Sequence, residues 1–364
     1  MDTKAMVSML AELSDARGAS GFEEEAVAVA EKYARALGLG EIRKDTLHNL
    51  YIRPQSNAGR RPVVMLDAHT DEVGFMVQSI LSNGMIRFIP LGGWVNYAVP
   101  AHRVWVRTKT GAYIPGVVAA KPVHYMTDAE KSAPLTMDAM VIDVGATSRE
   151  EVVNDYGVRI GAPIVPDAKF EFDEKHGTFL GKAFDCRIGC AAVLATLDAL
   201  KGEALDVDVV GALSVQEEVG TRGAKVTVNA VKPDVAIVFE GCPADDSFVA
   251  ADQIQTGLKR GPMLRHIDRS MITHPAFQRF ALDLAERQGI PVQEAVRTGG
   301  GTNGAAIHLS EQGVPVIVVG LPVRYAHSHY CYSALSDLEN AVKLGVAVLK
   351  HLNEGVIRGW EGND

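Results

Sequence analysis

Long apolar runs are missing from this 364-residue chain, and so is any dense stretch of lysine and arginine. The first absence leaves no segment of the roughly 20 residues that a bilayer-spanning helix needs. The second, with 36 basic against 45 acidic residues and a formal net charge of −9, argues against nucleic acid as a partner. Cysteine is scarce as well. Cys186, Cys190, Cys242 and Cys331 form no Cys-x-x-Cys pair, which counts against a zinc finger. They do not suggest a disulfide framework either, and they fit the reducing conditions of a cytoplasmic protein. Residues 1–18 mix charged and apolar positions as an amphipathic helix does, and lack the pattern of a signal peptide.

With those classes set aside, 47% hydrophobic and 22% charged residues describe a globular chain long enough for one large domain or two of ordinary size. Two styles of sequence alternate along it. Residues 1–71 show helical periodicity over about 23–37, then an apolar run over 63–68 that suits a strand buried on both faces. From 72 to 166 short alternating runs are punctuated by glycines such as Gly84, Gly92, Gly93, Gly111 and Gly116, the mark of a small β-rich domain inserted into the first. From 167 onward the first style returns. Helices are expected over 188–200, 275–288, about 305–311 and 336–352, and strands over 207–213, 235–239 and 315–319. Strands alternating with helices imply an α/β fold with a mostly parallel sheet flanked by helices.

Polar residues collect where these strands end. His69 and Asp71 follow the first buried strand, two residues apart and so on one side of an extended chain. That is how a metal-binding histidine is oriented by an aspartate; a strand-end histidine beside a solvated acid would look the same. Asp185 stands at a helix start, where an N-cap is the plain alternative. Glu217 and Glu218 follow the 207–213 strand, and adjacent side chains reach one site only if the strand breaks there. Glu240 follows the 235–239 strand, and His327 and His329 follow the 315–319 strand. Strand ends of one parallel sheet converge in space. Three carboxylates and two imidazoles suit two divalent cations about 3.5–4 Å apart that share one carboxylate. A fourth carboxylate then remains for proton transfer. Such a set belongs to a hydrolase.

Eight segments, in order over nearly the whole chain, resemble the metallo-aminopeptidases of the glutamyl aminopeptidase and tetrahedral (TET) aminopeptidase family. They are Ala19-Ser20-Gly21-Phe22-Glu23, Ala68-His69-Thr70-Asp71-Glu72-Val73-Gly74-Phe75, Leu91-Gly92-Gly93-Trp94, Asp143-Val144-Gly145-Ala146-Thr147-Ser148, Asp185-Cys186-Arg187-Ile188-Gly189, Gln216-Glu217-Glu218-Val219-Gly220, Gly299-Gly300-Gly301-Thr302 and Arg324-Tyr325-Ala326-His327-Ser328. The resemblance implies an aminopeptidase acting on peptides with two divalent metal ions per subunit, zinc or cobalt. His69, Asp185 and Glu240 would hold one ion, and Asp185, Glu218 and His327 the other. Glu217 would be the general base and Asp71 would orient His69. It also implies a β-rich insertion used in contacts within a homo-oligomer, a hollow dodecamer. The chain departs from the family's usual residues at Cys186, Asn303, Cys331 and Glu240. His327 is preferred to His329 because it follows Arg324-Tyr325 at the family spacing.

Three rival readings remain. A deacylase or dipeptidase could use the same residues. A non-catalytic assembly protein could keep the fold, against the intact acidic and histidine set. The run from Gly299 to Gly304 matches a dinucleotide fingerprint formally, but Gln293-Glu294-Ala295-Val296-Arg297 before it is not the buried strand such a site requires. A preference for acidic N-terminal residues would need a cation in the pocket, which the sequence does not locate.

Overall fold

The computed structural model describes residues 1–360. Its main sheet has eight strands in the order Glu41–Lys44, Leu50–Arg53, Asp208–Ser214, Val63–His69, Val235–Pro243, Val316–Val323, Met263–Ile267 and Gln293–Val296. The four central strands run parallel. On either side the direction reverses, Leu50–Arg53 lying antiparallel to Asp208–Ser214 and Met263–Ile267 antiparallel to Val316–Val323. The near-continuous apolar runs belong to the parallel centre, as strands covered on both faces should. Every residue of Asp208–Ser214 and of Val316–Val323 is buried.

Strand alternation divides the core into two layers. Val64, Leu66, Ile237 and Phe239 face the larger one, built with helices Thr3–Asp15, Glu24–Ala36, Phe184–Ala199, Pro275–Gln288 and Leu335–His351. Met65, Ala236 and Val238 face the other, covered by Arg222–Val231 and Gly304–Ile307. No helix is long and apolar enough to cross a membrane among the described residues.

Between Gly74 and Pro166 six strands close into a barrel, in the order Gly74–Ile80, Ile86–Leu91, Val141–Asp143, Tyr113–Ala119, Arg103–Arg107 and Pro163–Pro166. It has its own apolar centre, with Phe75, Ile86, Val104, Ile142 and Ile164. The chain enters the barrel just after His69-Thr70-Asp71-Glu72, so the barrel hangs from the same strand end that carries the first candidate site residues. A buried ion pair marks that junction. Lys182 Nζ lies 2.6 Å from Glu72 Oε1 and also donates to Ala16 O at 2.9 Å. Arg187 approaches the same carboxylate at 3.7 Å.

Several elements differ from the sequence-based expectation. The 235–239 strand continues to Pro243, because it keeps pairing with Val316–Val323 after its other neighbour has ended; Glu240 therefore lies within a strand. The helix expected over about 305–311 stops at Ile307, where Ser310 Oγ donates to the Ile307 carbonyl at 2.7 Å and offers the backbone an alternative to another turn. A small antiparallel sheet of Glu171–Asp173, Thr178–Gly181 and Cys331–Ala334 was not anticipated, since such short strands carry too little periodicity to read.

Candidate functional site

His69 closes its strand with a fully buried ring. Its Nδ1 lies 3.2 Å from Asp71 Oδ1. Its Nε2 lies 3.0 Å from Asp185 Oδ1 and 3.5 Å from Glu240 Oε1. Asp71 does more than face the imidazole. It accepts Ser20 Oγ–H at 2.7 Å and the backbone N–H groups of Glu217 and Glu218 at 2.9 and 3.1 Å. Burial would raise the Asp71 carboxyl, but His69 and these donors hold it below the usual carboxylate range.

Asp185 does not cap its helix. Ala183 occupies that position, and both Asp185 and Cys186 leave helical geometry before the helix settles. Two glycines let this irregular start press against the neighbouring strand. A side chain at Gly189 would meet Phe239 O at 2.5 Å, and one at Gly241 would meet Phe184 O at 2.5 Å. The close approach brings Asp185 beside Glu240. With Oδ1 turned to His69, Asp185 presents Oδ2 to His327 Nε2 at 3.3 Å, and Glu218 Oε2 reaches the same nitrogen at 3.3 Å.

Two overlapping clusters result, with ligand atoms inside each within 4.8 Å of one another: His69, Asp185 and Glu240 with Cys186, and Asp185, Glu218 and His327. A third group joins His69, Glu217 and Glu218. All six expected residues therefore meet at the carboxyl ends of the parallel strands, with Asp71 directly behind His69. His329 does not join them. Its buried ring stacks on His102 at 4.2 Å between centroids, near Trp94 at 5.3 Å. The Cys186 thiol donates to Phe239 O at 3.0 Å, and burial pushes its pKa well up, which disfavours the thiolate a metal would require.

The charges in this site are badly matched. Burial pushes Glu217 well above the carboxylate range and Glu240 up to about 8; Glu218 is raised for the same reason. Asp185 is held low despite burial by His327 and His69. His327 rises to about 11, burial opposing and Glu218 and Asp185 favouring the charged ring. Glu218 Oε1 and Glu240 Oε2 are buried with no hydrogen-bond partner. Buried carboxylate oxygens left this way are costly unless a cation meets them. Oxygen and imidazole donors suit divalent metals such as zinc and cobalt, so the residues fit the ions that the resemblance implies.

The site opens into a cavity of about 740 Å³, lined also by Gly93 of the barrel, Gln253, Gln255, Arg297 and the loop from Gly299 to Thr302. That loop leads into the short helix Gly304–Ile307. Asn303 lies beneath the cavity wall, its amide donating to Asp67 Oδ2 and Ser214 Oγ at 2.7 Å each. Arg297 was not singled out from the sequence, where a lone arginine before a glycine run carries no signal. It donates to Pro243 O at 2.8 Å and Thr256 Oγ1 at 2.6 Å, and it forms none of the ion pairs found among the described residues.

A family model described as M42 glutamyl aminopeptidase matches residues 49–344. The glutamyl aminopeptidase of Lactococcus lactis is 32% identical over 342 residues, covering 94% of this chain and 95% of that protein. A crystal structure of a TET aminopeptidase from a marine sediment Thaumarchaeota archaeon superposes with a TM-score of 0.94 at 35% identity, over 99% of this chain and 100% of that one. The Pyrococcus horikoshii TET1 peptidase, which can assemble into a tetrahedron or a large octahedral shell, matches with a TM-score of 0.82 at 28% identity, over 95% of this chain and 100% of that one.

Proposed function

Given that this chain belongs to the M42 glutamyl aminopeptidase family and is accordingly an aminopeptidase, we propose that it removes N-terminal residues from peptides using two divalent cations per subunit. The observation that carries this reading is Asp185, whose two oxygens face two different imidazoles, each beside a further buried glutamate. His69, Asp185 and Glu240 would hold one ion, and Asp185, Glu218 and His327 the other. Zinc and cobalt both suit these donors. Such ions supply Lewis acidity toward the scissile carbonyl and make water a better nucleophile at neutral pH.

The chain's own residues do the rest. Glu217 takes a proton from the attacking water and delivers it to the nitrogen of the leaving amine, so that the departing peptide leaves neutral. Asp71 fixes the His69 ring and, through two backbone N–H groups, the turn that carries Glu217 and Glu218. Arg297, on the cavity wall and free of carboxylate partners among the described residues, supports an acidic side chain at the peptide's N-terminus.

Large assemblies of structural neighbours such as the TET1 peptidase, also seen as a dodecamer, support a homo-oligomer here; in this reading it is a dodecamer and the barrel takes part in its contacts. The four cysteines, all buried and unpaired, suit a cytoplasmic enzyme. A panel of aminoacyl chromogenic substrates, assayed with zinc, cobalt and manganese and accompanied by metal analysis, tests the reading. Release of glutamate or aspartate with two metals per subunit is expected. Cleavage of N-acyl amino acids without release of N-terminal residues would replace it with a deacylase.

A further inference from the structure

Two adjacent glutamates that enter one site require a sharp turn in the backbone, and such a turn leaves N–H groups without ladder partners. Three consecutive N–H groups are in that position here, those of Gln216, Glu217 and Glu218. Each ends on a carboxylate from a distant part of the chain. Asp71 receives the last two, and Glu23 Oε1 accepts the Gln216 N–H at 3.0 Å. Gln216 is the residue that makes the turn, with φ of 54°.

Glu23 stands at the N-cap position of the Glu24–Ala36 helix, yet its side chain caps nothing in that helix. It is 3% exposed and accepts a second N–H, from Gly21, at 2.7 Å. The loop beneath it is fixed in turn. Ser20 Oγ donates to Asp71 Oδ2 at 2.7 Å, and the Gly18 N–H donates to Glu72 Oε1 at 3.0 Å.

We infer that Glu23 is a positioning residue: its carboxylate holds the Gln216 turn so that the Glu217 carboxyl faces the reacting atoms, while Glu23 itself touches none of them. The inference rests on the base role proposed for Glu217. A non-glycine residue at positive φ lies uphill in energy and relaxes when its anchor is removed. The residue that follows it is the proposed base, so relaxation displaces the proton acceptor directly. A displacement of about 1 Å can cost roughly 100-fold in rate.

Reach, and not charge, should therefore decide the outcome of substitution at Glu23. Glu23→Gln keeps an acceptor oxygen at the same distance; Glu23→Asp keeps the charge but withdraws the oxygen by one methylene. In steady-state assays with metal analysis and thermal unfolding alongside, Glu23→Gln should hold kcat within about threefold. Glu23→Asp should lower kcat by about tenfold or more, with KM and metal content within about twofold of the parent. The opposite order, with Glu23→Asp active and Glu23→Gln impaired, overturns the proposal. So does equal turnover in both variants, or a fall in Glu23→Asp explained by lost metal or lost folded protein. Glu217→Gln in the same assay separates the two layers. If it keeps full turnover, the base assignment fails; if it loses turnover while Glu23→Asp does not, only the positioning role fails.

Discussion

Two buried clusters of charge lie side by side in this protein, and they are balanced in opposite ways. At the junction with the barrel, Glu72 has Lys182 at 2.6 Å and Arg187 at 3.7 Å, so the chain supplies both signs itself. A few residues away, Asp185, Glu217, Glu218 and Glu240 crowd around His69 and His327, and Arg265, itself paired with Asp268, is a further cation acting on Glu240. Two of their buried oxygens have no partner. A buried charge is tolerated when paired and costly when alone. The first cluster is thus complete as a structural clasp, tying residues 16–18 to the barrel entrance and the Asp185 loop. The second is complete only with cations from outside. The same physical cost produces a fastening in one place and a binding site in the other.

Breaking the self-balanced cluster should have the largest effect on stability. Lys182→Met leaves Glu72 buried beside a single, more distant cation, a loss of about 3–5 kcal/mol by the usual cost of orphaning a buried partner. Chemical unfolding measures it, and metal content per folded subunit should be unchanged. If the site also loses metal, the two clusters are not independent.

In the second cluster, Glu217→Gln should lower turnover by about 100-fold or more while metal content stays near normal. Glu218→Gln should instead lose metal, because a neutral amide is a poorer ligand. Metal stoichiometry and turnover on both variants distinguish the roles, and the reversed pattern would exchange them. Chelation sharpens the contrast. At metal concentrations about 100 times Kd, each bound ion stabilises by about 2.7 kcal/mol, which chelator treatment should remove. An unfolding midpoint indifferent to chelator would show that the second cluster does not depend on external cations.

A smaller effect is expected at the cavity wall. Arg297→Gln should reduce kcat/KM for glutamyl substrates by about tenfold, the scale of a lost charge-assisted hydrogen bond, and leave leucyl substrates within about twofold. Equal losses on both would assign Arg297 to loop structure. The smallest effect concerns the thiols: titration under denaturing conditions without reductant should count Cys186, Cys190, Cys242 and Cys331 as four free groups. A lower count would mean that the scarcity of cysteine was misread as a sign of reducing surroundings.

Much of this was legible in the chain. Apolar runs over 63–68 before His69, over 207–213 before Glu217-Glu218, and over 315–319 before His327 mark buried parallel strands whose ends converge, and convergence follows from the sheet alone. Less legible was anything that depends on who the neighbour is. Glu240 reads as following a strand end but lies within a strand, because only pairing with Val316–Val323 keeps that segment extended. Asp185, expected as a site residue with an N-cap as the plain alternative, is separated from that alternative only when Gly189 and Gly241 are seen to press its turn against the next strand.

The sequence by itself determined the alternation of strands and helices, the position of the β-rich insertion in the order of the chain, and the kinds of side chain at each strand end, since periodicity and residue chemistry are local properties. Tertiary structure alone decided that Arg297 lines the cavity and that Glu23 reaches across 193 residues to the Gln216 backbone. Those are contacts between segments far apart in the chain. Their partners are selected by packing and by the cost of leaving buried polar groups unpaired, and no local pattern records that choice.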